Sequence, residues 1–534
     1  MTASSHASGT AAIQEGRTSL GIELGSTRIK AVLVALDGTP LATASIGWES
    51  ELRDGRWTYA LDDVDAGVRE AYSRLLDEVE REHGIRPTTF GALGVSAMMH
   101  GYLAFDADGE LLVPFRTWRN SSTGPAAAAL SAAFGSNVPL RWSAAHLLQA
   151  VIDREPHVPD VRSLTTLAGY VHRRLTGRHV LGAGDASGMM PLDASGTAFD
   201  PAALAAFDEL AAQHGASGMA IADLLPEVLL AGADAGSLTE QGAAYLDPTG
   251  ALEPGVPLCP PEGDAGTGMV ATAAVAPGTG NVSVGTSVFA MLVLAEPLSQ
   301  PHEEIDIVAT PSGDPVAMVH CNNGAGELDA WAGLLGSFAA AIGHPVAPDA
   351  VFEALLGSAI EGDAQGMVLY NYLAGEHSMG VEEGRPLLVR LPGSPLTLGG
   401  FAKAHLLSTF ATLRRGMRVL ADEGVRVDEI VAHGGVFRTA GAAQTLLAAS
   451  LDARVLLRSG ASEGGAWGMA LLSAFRVVHP DAPRGALAEW LVELAGDSAA
   501  TVQPDAALVD ECAAYFARWE AAFELERRAA ALVR

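Results

Sequence analysis

The chain has 534 residues, of which 49% are apolar and 18% charged, a composition typical of a globular protein too long for one hydrophobic core. Its formal net charge of −30 argues against nucleic acid or an anionic membrane as a partner, because both would be repelled. Three cysteines are too few for a disulfide framework or a thiolate metal site, so we expect a reducing, cytoplasmic setting.

The first 17 residues have neither the basic start nor the apolar stretch of a secretory signal. We expect a disordered N-terminal tail over residues 1–17. No apolar run reaches the roughly 18 residues needed to cross a bilayer.

Two short hairpins are predicted about half a chain apart. The segments Leu20–Ala35 and Asn281–Ala295 each read as strand, turn and strand, and the apolar runs after the two turns match closely. The turn residues are Gly25, Ser26 and Thr27 in the first and Gly285, Thr286 and Ser287 in the second. The match indicates duplication of a domain, and chance recurrence of hairpins is the alternative.

Helices and strands alternate between and after these hairpins, which predicts an α/β fold. Helices are expected over 64–84, from about Glu327, over 403–423 and 440–452 and over 464–475, with strands from Phe90 and over 428–435. A run of small residues followed by Pro277 and glycines sets the domain boundary near 276. The domains are therefore expected over 18–276 and 277–534.

A glycine followed by two hydroxyl residues offers N–H and O–H groups to phosphate oxygens. Neither turn is a Walker loop, since no Gly-Lys-Ser/Thr opens a helix and Lys30 lies within the second strand. One such turn alone is equally well an ordinary tight hairpin. The pair indicates a nucleotide-phosphate site, and we count Lys30 among its residues.

Asp264 lies in a glycine-rich loop shortly before the second hairpin. Transfer of a phosphoryl group to a hydroxyl requires a carboxylate that accepts the hydroxyl proton, and Asp264 is the best-placed candidate. The alternative is an aspartate that caps the following helix. Farther on, Gly434 and Gly435 end an apolar strand and would let a nucleotide approach the backbone closely.

These segments resemble the FGGY carbohydrate kinases over residues from about 19 to 480. The segment LGIELGSTRIKAVLV looks like the first phosphate motif of that family, EGDAGTGM like its catalytic-aspartate loop and NVSVGTSVF like its second phosphate motif. HGGVFRTAGAAQTLLAASL is similar to the adenosine motif, and SEGGAWGMALLSA to the helix that follows.

The resemblance implies two actin-like (ribonuclease H-like) ATPase domains, each with a mixed sheet flanked by helices, around a central cleft. It implies that the first domain binds the sugar, that the second binds ATP, and that Mg²⁺ is held with the help of Glu23. Most relatives carry Asp where this chain has Glu23, and a water-mediated hold on the ion remains feasible with the longer side chain. The oligomeric state stays open, with a homodimer as one candidate.

Within the family, MMHGYLAFD resembles the Met-His-Gly segment of xylulokinases that contacts the sugar, and FRTWRN resembles the Trp-bearing strand beside it. This resemblance implies a substrate pocket lined by Met99, His100, Gly101 and Trp118, and favours a ketopentose, D-xylulose first. A core histidine and a core tryptophan are the alternatives for His100 and Trp118. Ala265 stands where relatives usually carry Asn or Gln, and this Asp-Ala pair resembles that of L-ribulokinases. L-Ribulose, or another sugar or polyol, therefore remains an alternative substrate. An actin-like ATPase that senses a sugar is the alternative from another class.

Overall fold

The computed structural model describes residues 3–439, 441–458, 464–495 and 500–533. Its residues divide into two compact units. The first unit comprises Met1–Val275, Ile307–Val316 and Glu463–Gly496, and the second comprises Ala276–Asp306, Ala317–Ser462 and Asp497–Arg534.

Elements up to Val275 follow the α/β pattern of the sequence. The strands are β1 Thr18–Leu24, β2 Arg28–Ala35, β3 Pro40–Gly47, β4 Glu51–Arg53, β5 Arg56–Thr58, β6 Ala92–Ala97, β7 Leu103–Phe105, β8 Ser163–Thr165, β9 Val180–Gly182, β10 Glu227–Leu229 and β11 Glu262–Gly263. The helices are α1 Ala3–Gln14, α2 Leu61–His83, α3 Gly124–Phe134, α4 Ser143–Ile152, α5 Leu167–Thr176, α6 Ala183–Ala186, α7 Pro201–Gln213, α8 Glu240–Leu246 and α9 Asp264–Ala271.

The rest of the chain repeats this alternation. The strands are β12 Thr279–Val284, β13 Val288–Val293, β14 Asp306–Ala309, β15 Pro315–Cys321, β16 Met367–Tyr370, β17 Leu387–Arg390, β18 Glu429–Gly434, β19 Arg454–Leu457 and β20 Ala500–Val502. The helices are α10 Gly326–Ala341, α11 Pro348–Ala359, α12 Leu398–Asp422, α13 Ala442–Leu451, α14 Gly465–Val478, α15 Ala486–Ala495, α16 Ala506–Ala521 and α17 Glu524–Leu532.

Each unit is built on a mixed sheet. The first has the strand order β11-β6-β1-β2-β3, in which β6 runs parallel to β1 and β11, and β2 runs antiparallel to its neighbours. In the second unit β13 pairs antiparallel with β12, and β12, β18 and β19 run parallel. Both predicted hairpins are therefore confirmed, and the first strand of each pairs in parallel with a further strand of its sheet.

Helix α2 shows how local sequence sets these elements. Its buried side chains recur at intervals of three and four, as in Val64, Val68, Ala71 and Leu75, and these pack into the hydrophobic core of the first unit. The helix ends at Gly84, which has a φ of 70° and donates its N–H to the carbonyl of Glu80. The predicted helix over 64–84 thus begins slightly earlier, at Leu61.

The N-terminal segment differs from the disordered tail expected over residues 1–17. Residues 1 and 2 lie outside the described residues, but helix α1 occupies Ala3–Gln14. Ala12 and Ile13 are buried, and the hydroxyl of Thr10 lies 3.1 Å from Nδ1 of His83 in α2. One large apolar residue is a weak local signal, so the helix depends on packing against a distant element.

The two units also differ from a simple division of the chain into 18–276 and 277–534. The first stretch of the first unit ends at Val275, next to the expected boundary, but two later stretches, 307–316 and 463–496, return to that unit. Helix α14 in the second of these packs on β1, where Gly21 faces it. Ala440 of the predicted helix 440–452, and Ser462 and Glu463 of the motif SEGGAWGMALLSA, lie outside the described residues.

Where the structure describes the chain, none of its helices is both long and apolar enough to cross a bilayer.

Gly21 tests the packing of α14 on β1. A Cβ at Gly21 would overlap the main chain of Ala466 and Ala470, neither of which can move away as a flexible side chain could. We expect Gly21→Ala to lower the free energy of unfolding by about 1–3 kcal/mol, the usual cost of overpacking. Gly47→Ala in β3 is the control, because a Cβ there meets no atom within 4 Å. Equal unfolding curves for the two variants would contradict this packing.

Candidate active site

The candidate residues of the first unit lie at one edge of its sheet. Strands β1, β6 and β11 are parallel, with Leu24 opposite Ala97 and Gly263 opposite Ala97 on the other side. The carboxyl ends of parallel strands meet at the same edge. The turn of residues 25–27, the segment from Met98 to Gly101 and Asp264 follow these three ends.

The carbonyl groups of the first turn all accept hydrogen bonds from aromatic residues or their backbone. Gly25 O accepts from Trp48 Nε1 (2.7 Å), Ser26 O accepts from the Tyr59 hydroxyl (2.6 Å), and Thr27 O accepts from the backbone N–H of Trp48 (3.2 Å). In a trans peptide the N–H group points opposite to the carbonyl. The N–H groups that follow these carbonyls are therefore turned away from the aromatic residues, as an anion site requires.

The second turn, between β12 and β13, has the same arrangement with backbone donors. Gly285 O accepts from Ala325 N (2.8 Å), and Thr286 O accepts from Gly324 N (2.7 Å). A Cβ at Gly324 would overlap the carbonyl oxygen of Gly285, so this close approach requires glycine. Thr286 is exposed and Ser287 is half-buried, which leaves their donor groups accessible, whereas the N–H of Gly285 donates to the carbonyl of Ser287 (2.9 Å).

Gly434 and Gly435 lie beside the second turn. Gly434 pairs with Val284, the last residue of β12, and its φ of 115° and contact with the Val284 carbonyl both exclude a larger residue. Gly435 is exposed and has open space where a Cβ would be. The second unit thus brings its predicted nucleotide residues together at one sheet edge.

Asp264 is the first residue of α9, and the N-cap is Gly263. Its Oδ1 accepts the backbone N–H of Met99 (3.1 Å), so its carboxylate is engaged outside the helix rather than as the N-cap. The carboxyl is partly exposed, and burial raises its pKa, while the Met99 N–H and the charge of Arg141 oppose that rise. A raised pKa suits a group that must accept a proton and later release it.

Glu23 lies in β1, directly across from Lys30 in β2. Its carboxylate accepts the N–H of Ala466 (3.2 Å) at the start of α14. Burial raises the pKa of Glu23, the Lys30 ammonium lowers it, and the Asp264 carboxyl raises it further. Glu23, Lys30 and Asp264 are therefore within electrostatic reach of one another.

The residues present fit a magnesium ion held by one protein carboxylate and by water. No group of three or more His, Cys, Asp or Glu side chains among the described residues is placed to hold a metal. Mg²⁺ commonly keeps several waters and takes only one or two carboxylates together with substrate phosphates. The partly exposed Glu23 can supply such an oxygen.

The predicted sugar residues Met99, His100 and Gly101 follow β6. His100 is buried, and its Nδ1 lies 3.2 Å from the carbonyl oxygen of Gly188. His100 has a φ of 70° and Gly101 a φ of 99°. A Cβ at Gly101 would lie 2.7 Å from the carbonyl oxygen of Arg116, which explains the glycine.

Trp118 is not a core residue. The residue is 38% exposed, and its Nε1 donates to the hydroxyl oxygen of Ser26 (3.2 Å). The residue predicted to line the sugar pocket therefore contacts the predicted phosphate turn directly.

Sequence reasoning missed Arg141. Its carbonyl accepts the N–H of Gly101 (3.1 Å), and the neighbouring Ser143 hydroxyl donates to the carbonyl of Gly101 (2.6 Å). The partly exposed Arg141 thus lies beside the Met-His-Gly segment, and its charge lowers the pKa of Asp264. A single arginine before an apolar helix carries no motif that would have identified it.

Two buried carboxyl groups behind Asp264 were also missed. Glu262 accepts the N–H groups of Gly184 (3.3 Å) and Asp185 (2.9 Å). Oδ2 of Asp185 accepts the Thr166 hydroxyl (2.5 Å), whereas Oδ1 is buried without a hydrogen-bond partner among the described residues. Burial, together with the nearby carboxyl of Asp264, raises the pKa of Asp185 to about 7. Burial, together with the carboxyl of Asp185, raises the pKa of Glu262 to about 8.

Family models match most of the chain. The N-terminal domain of the FGGY family of carbohydrate kinases matches residues 18–270, and its C-terminal domain matches residues 280–477. The fold and these matches define an ATP-dependent sugar kinase. The chain belongs to the FGGY family of carbohydrate kinases.

Solved structures of kinases share the two-domain actin-like fold. Xylulose kinase from Rhodospirillum rubrum is 20% identical with a TM-score of 0.77, covering 96% of this chain and 100% of its own. Gluconate kinase from Lactobacillus acidophilus is 17% identical with a TM-score of 0.75, and the match covers 96% of this chain and 98% of that kinase. Glycerol kinase from Plasmodium falciparum, solved with ADP, is 13% identical with a TM-score of 0.74, and the match covers 97% of this chain and 98% of that kinase. A sequence comparison with curated proteins finds no match.

The buried carboxyls predict a pH-dependent stability. Because their pKa values of about 7 and about 8 lie above the ordinary value near 4, the folded state binds more protons than the unfolded state between these limits. Their stabilising contribution is complete at low pH and is lost as the pH rises through about 8. We expect the thermal midpoint of the wild type to fall between about pH 5 and pH 9.

Glu262→Gln keeps one acceptor oxygen, which can accept the shorter hydrogen bond from the N–H of Asp185, and cannot ionise, so its midpoint should fall less over this range. Exposed Glu209→Gln in α7 is the control and should follow the wild type. The same dependence on pH in all three proteins would refute the neutral state of Glu262.

Proposed function

We propose that the protein phosphorylates a ketopentose at a terminal hydroxyl with ATP, and that D-xylulose is its substrate and D-xylulose 5-phosphate its product. The observation that carries the proposal is the hydrogen bond from Met99 to Asp264, because it joins the Met-His-Gly segment to the candidate base. The similarity in fold to a xylulose kinase supports the choice, although gluconate and glycerol kinases share that fold.

In the proposed reaction, Asp264 accepts the proton of the terminal hydroxyl, whose oxygen attacks the γ-phosphorus of ATP. The bond from this phosphorus to the bridging oxygen breaks, and ADP leaves. The N–H and hydroxyl groups of Ser26 and Thr27 stabilise the charge on the transferring group, and Gly25, whose N–H donates to the carbonyl of Arg28 (2.9 Å), closes the turn that holds them. The sugar is held by Met99, His100, Gly101 and Trp118.

The nucleotide is assigned to Gly285, Thr286, Ser287, Gly434 and Gly435. In support, these residues lie together at one sheet edge with the close backbone approaches that glycine allows. Lys30 contributes a positive charge beside Glu23. A magnesium ion held through Glu23 and water would neutralise phosphate charge when bound.

L-Ribulose is the second candidate substrate. Ala265 follows the base and has no side chain that could hydrogen-bond a sugar hydroxyl, so discrimination among pentuloses depends on other residues of the pocket. We place the reaction in the cytoplasm, which is supported by three buried cysteines that are all free.

Asp264→Asn tests the base. The amide cannot accept the proton, so we expect the turnover number to fall at least about 100-fold, the low end for general-base catalysis. The dissociation constant of ATP, measured by calorimetry, should change little. Asp108→Asn, at an exposed position of the same unit, is the matched control. Near-normal sugar phosphorylation by Asp264→Asn would remove Asp264 from the mechanism.

A coupled assay of ADP release tests the substrate. The panel is D-xylulose, L-ribulose, D-ribulose, L-xylulose, glycerol and gluconate, and we expect the highest kcat/KM with D-xylulose. Turnover with glycerol or gluconate alone would overturn the pentulose assignment. An ATPase rate without sugar that equals the rate with sugar would favour a sugar-sensing ATPase instead.

A further inference from the structure

The first turn is held by three aromatic side chains, Trp48, Tyr59 and Trp118, which we call the aromatic clamp. Trp48 and Tyr59 bind the carbonyls of the turn, at 2.7 and 2.6 Å. Trp118 instead donates to a side chain, the hydroxyl of Ser26, at 3.2 Å. The backbone and the side chain of Ser26 are therefore positioned by different members of the clamp.

Trp48 and Tyr59 form a fixed support. Their rings stack with centroids 4.2 Å apart, and Tyr59 is buried. Tyr59 also contacts Phe115, with centroids 6.5 Å apart, and the Phe115 ring packs against Gly101. The support is thus continuous with the segment assigned to the sugar.

Trp118 differs because the residue is 38% exposed and its Nε1 donates to the hydroxyl of Ser26. A side chain with so much exposed surface gains order when a ligand packs against it. The second turn is held differently, since backbone N–H groups of Gly324 and Ala325 donate to its carbonyls. A ligand that packs on Trp118 therefore contacts a side chain that itself donates to the first turn.

We propose that Trp118 is a positioning residue that couples sugar binding to the phosphate turn. This inference rests on the proposed function, in which Trp118 lines the sugar pocket and Ser26 binds phosphate. A sugar packed on the indole fixes its Nε1 on Ser26, and the oriented hydroxyl then binds the γ-phosphate more tightly. Sugar and ATP therefore bind cooperatively.

The test is a calorimetric measurement of the dissociation constant of a non-hydrolysable ATP analogue, with and without saturating D-xylulose. In the wild type we expect the sugar to tighten binding of the analogue. Trp118→Phe keeps an aromatic face but cannot donate, so the coupling should weaken by about 2- to 12-fold, the effect of one hydrogen bond. By linkage, the effect of the analogue on sugar affinity should weaken by the same factor.

Ser26→Ala removes the acceptor and should weaken the coupling to the same degree, and the double variant should show no further loss. Trp467→Phe is the control. It removes an indole hydrogen bond of 3.1 Å to the carbonyl of Gly38, beyond the opposite end of β2 from the turn, and should keep the wild-type coupling.

Wild-type binding without coupling, or full coupling in both Trp118→Phe and Ser26→Ala, would overturn the inference while leaving the kinase proposal intact. Failure of the wild type to phosphorylate D-xylulose would instead refute the substrate assignment. If Trp118→Phe does not fold, Ser26→Ala supplies the same test.

Discussion

The candidate site depends on one constraint, which is that the backbone carbonyl groups of its two tight turns must accept hydrogen bonds. In both hairpins the donors lie on one side, so the N–H groups of the turn must point to the other. The indole of Trp48 and the hydroxyl of Tyr59 supply this constraint in the first unit, and the backbone at Gly324 and Ala325 supplies it in the second. The phosphate affinity that we propose for both turns thereby depends on hydrogen bonds that do not themselves contact phosphate.

Several acidic side chains lie close together near the sheet edge of the first unit. The carboxyl of Asp264 raises the pKa of Glu23 and that of Asp185, while Lys30 lowers the pKa of Glu23 and Arg141 that of Asp264. Ionising all the carboxyls would repel the phosphates of ATP. Burial of Asp185 and Glu262 keeps their pKa values high, so the acidic surroundings of Asp264 can exist without a matching excess of negative charge near neutral pH.

Features encoded in a short window could be predicted from the sequence, and features that depend on distant contacts could not. The turn at Gly25 and helix α2 follow from local spacing and glycine chemistry. Asp185 and Glu262 are 77 residues apart and meet only in the folded chain. Tyr59 likewise reaches Ser26 across 33 residues, and neither residue belongs to a motif that points to the other.

The two ways of holding a turn differ in their tolerance of random substitution. Main-chain donors such as the N–H of Ala325 survive almost any change of side chain, whereas an indole or phenol donor is lost with its residue. Substitutions at Trp48, Tyr59 and Trp118 should therefore be harmful far more often than those at Ala325. In a library of random variants, the first turn should be sensitive at these three aromatic positions, and the second at Gly324, where a Cβ would overlap the carbonyl oxygen of Gly285.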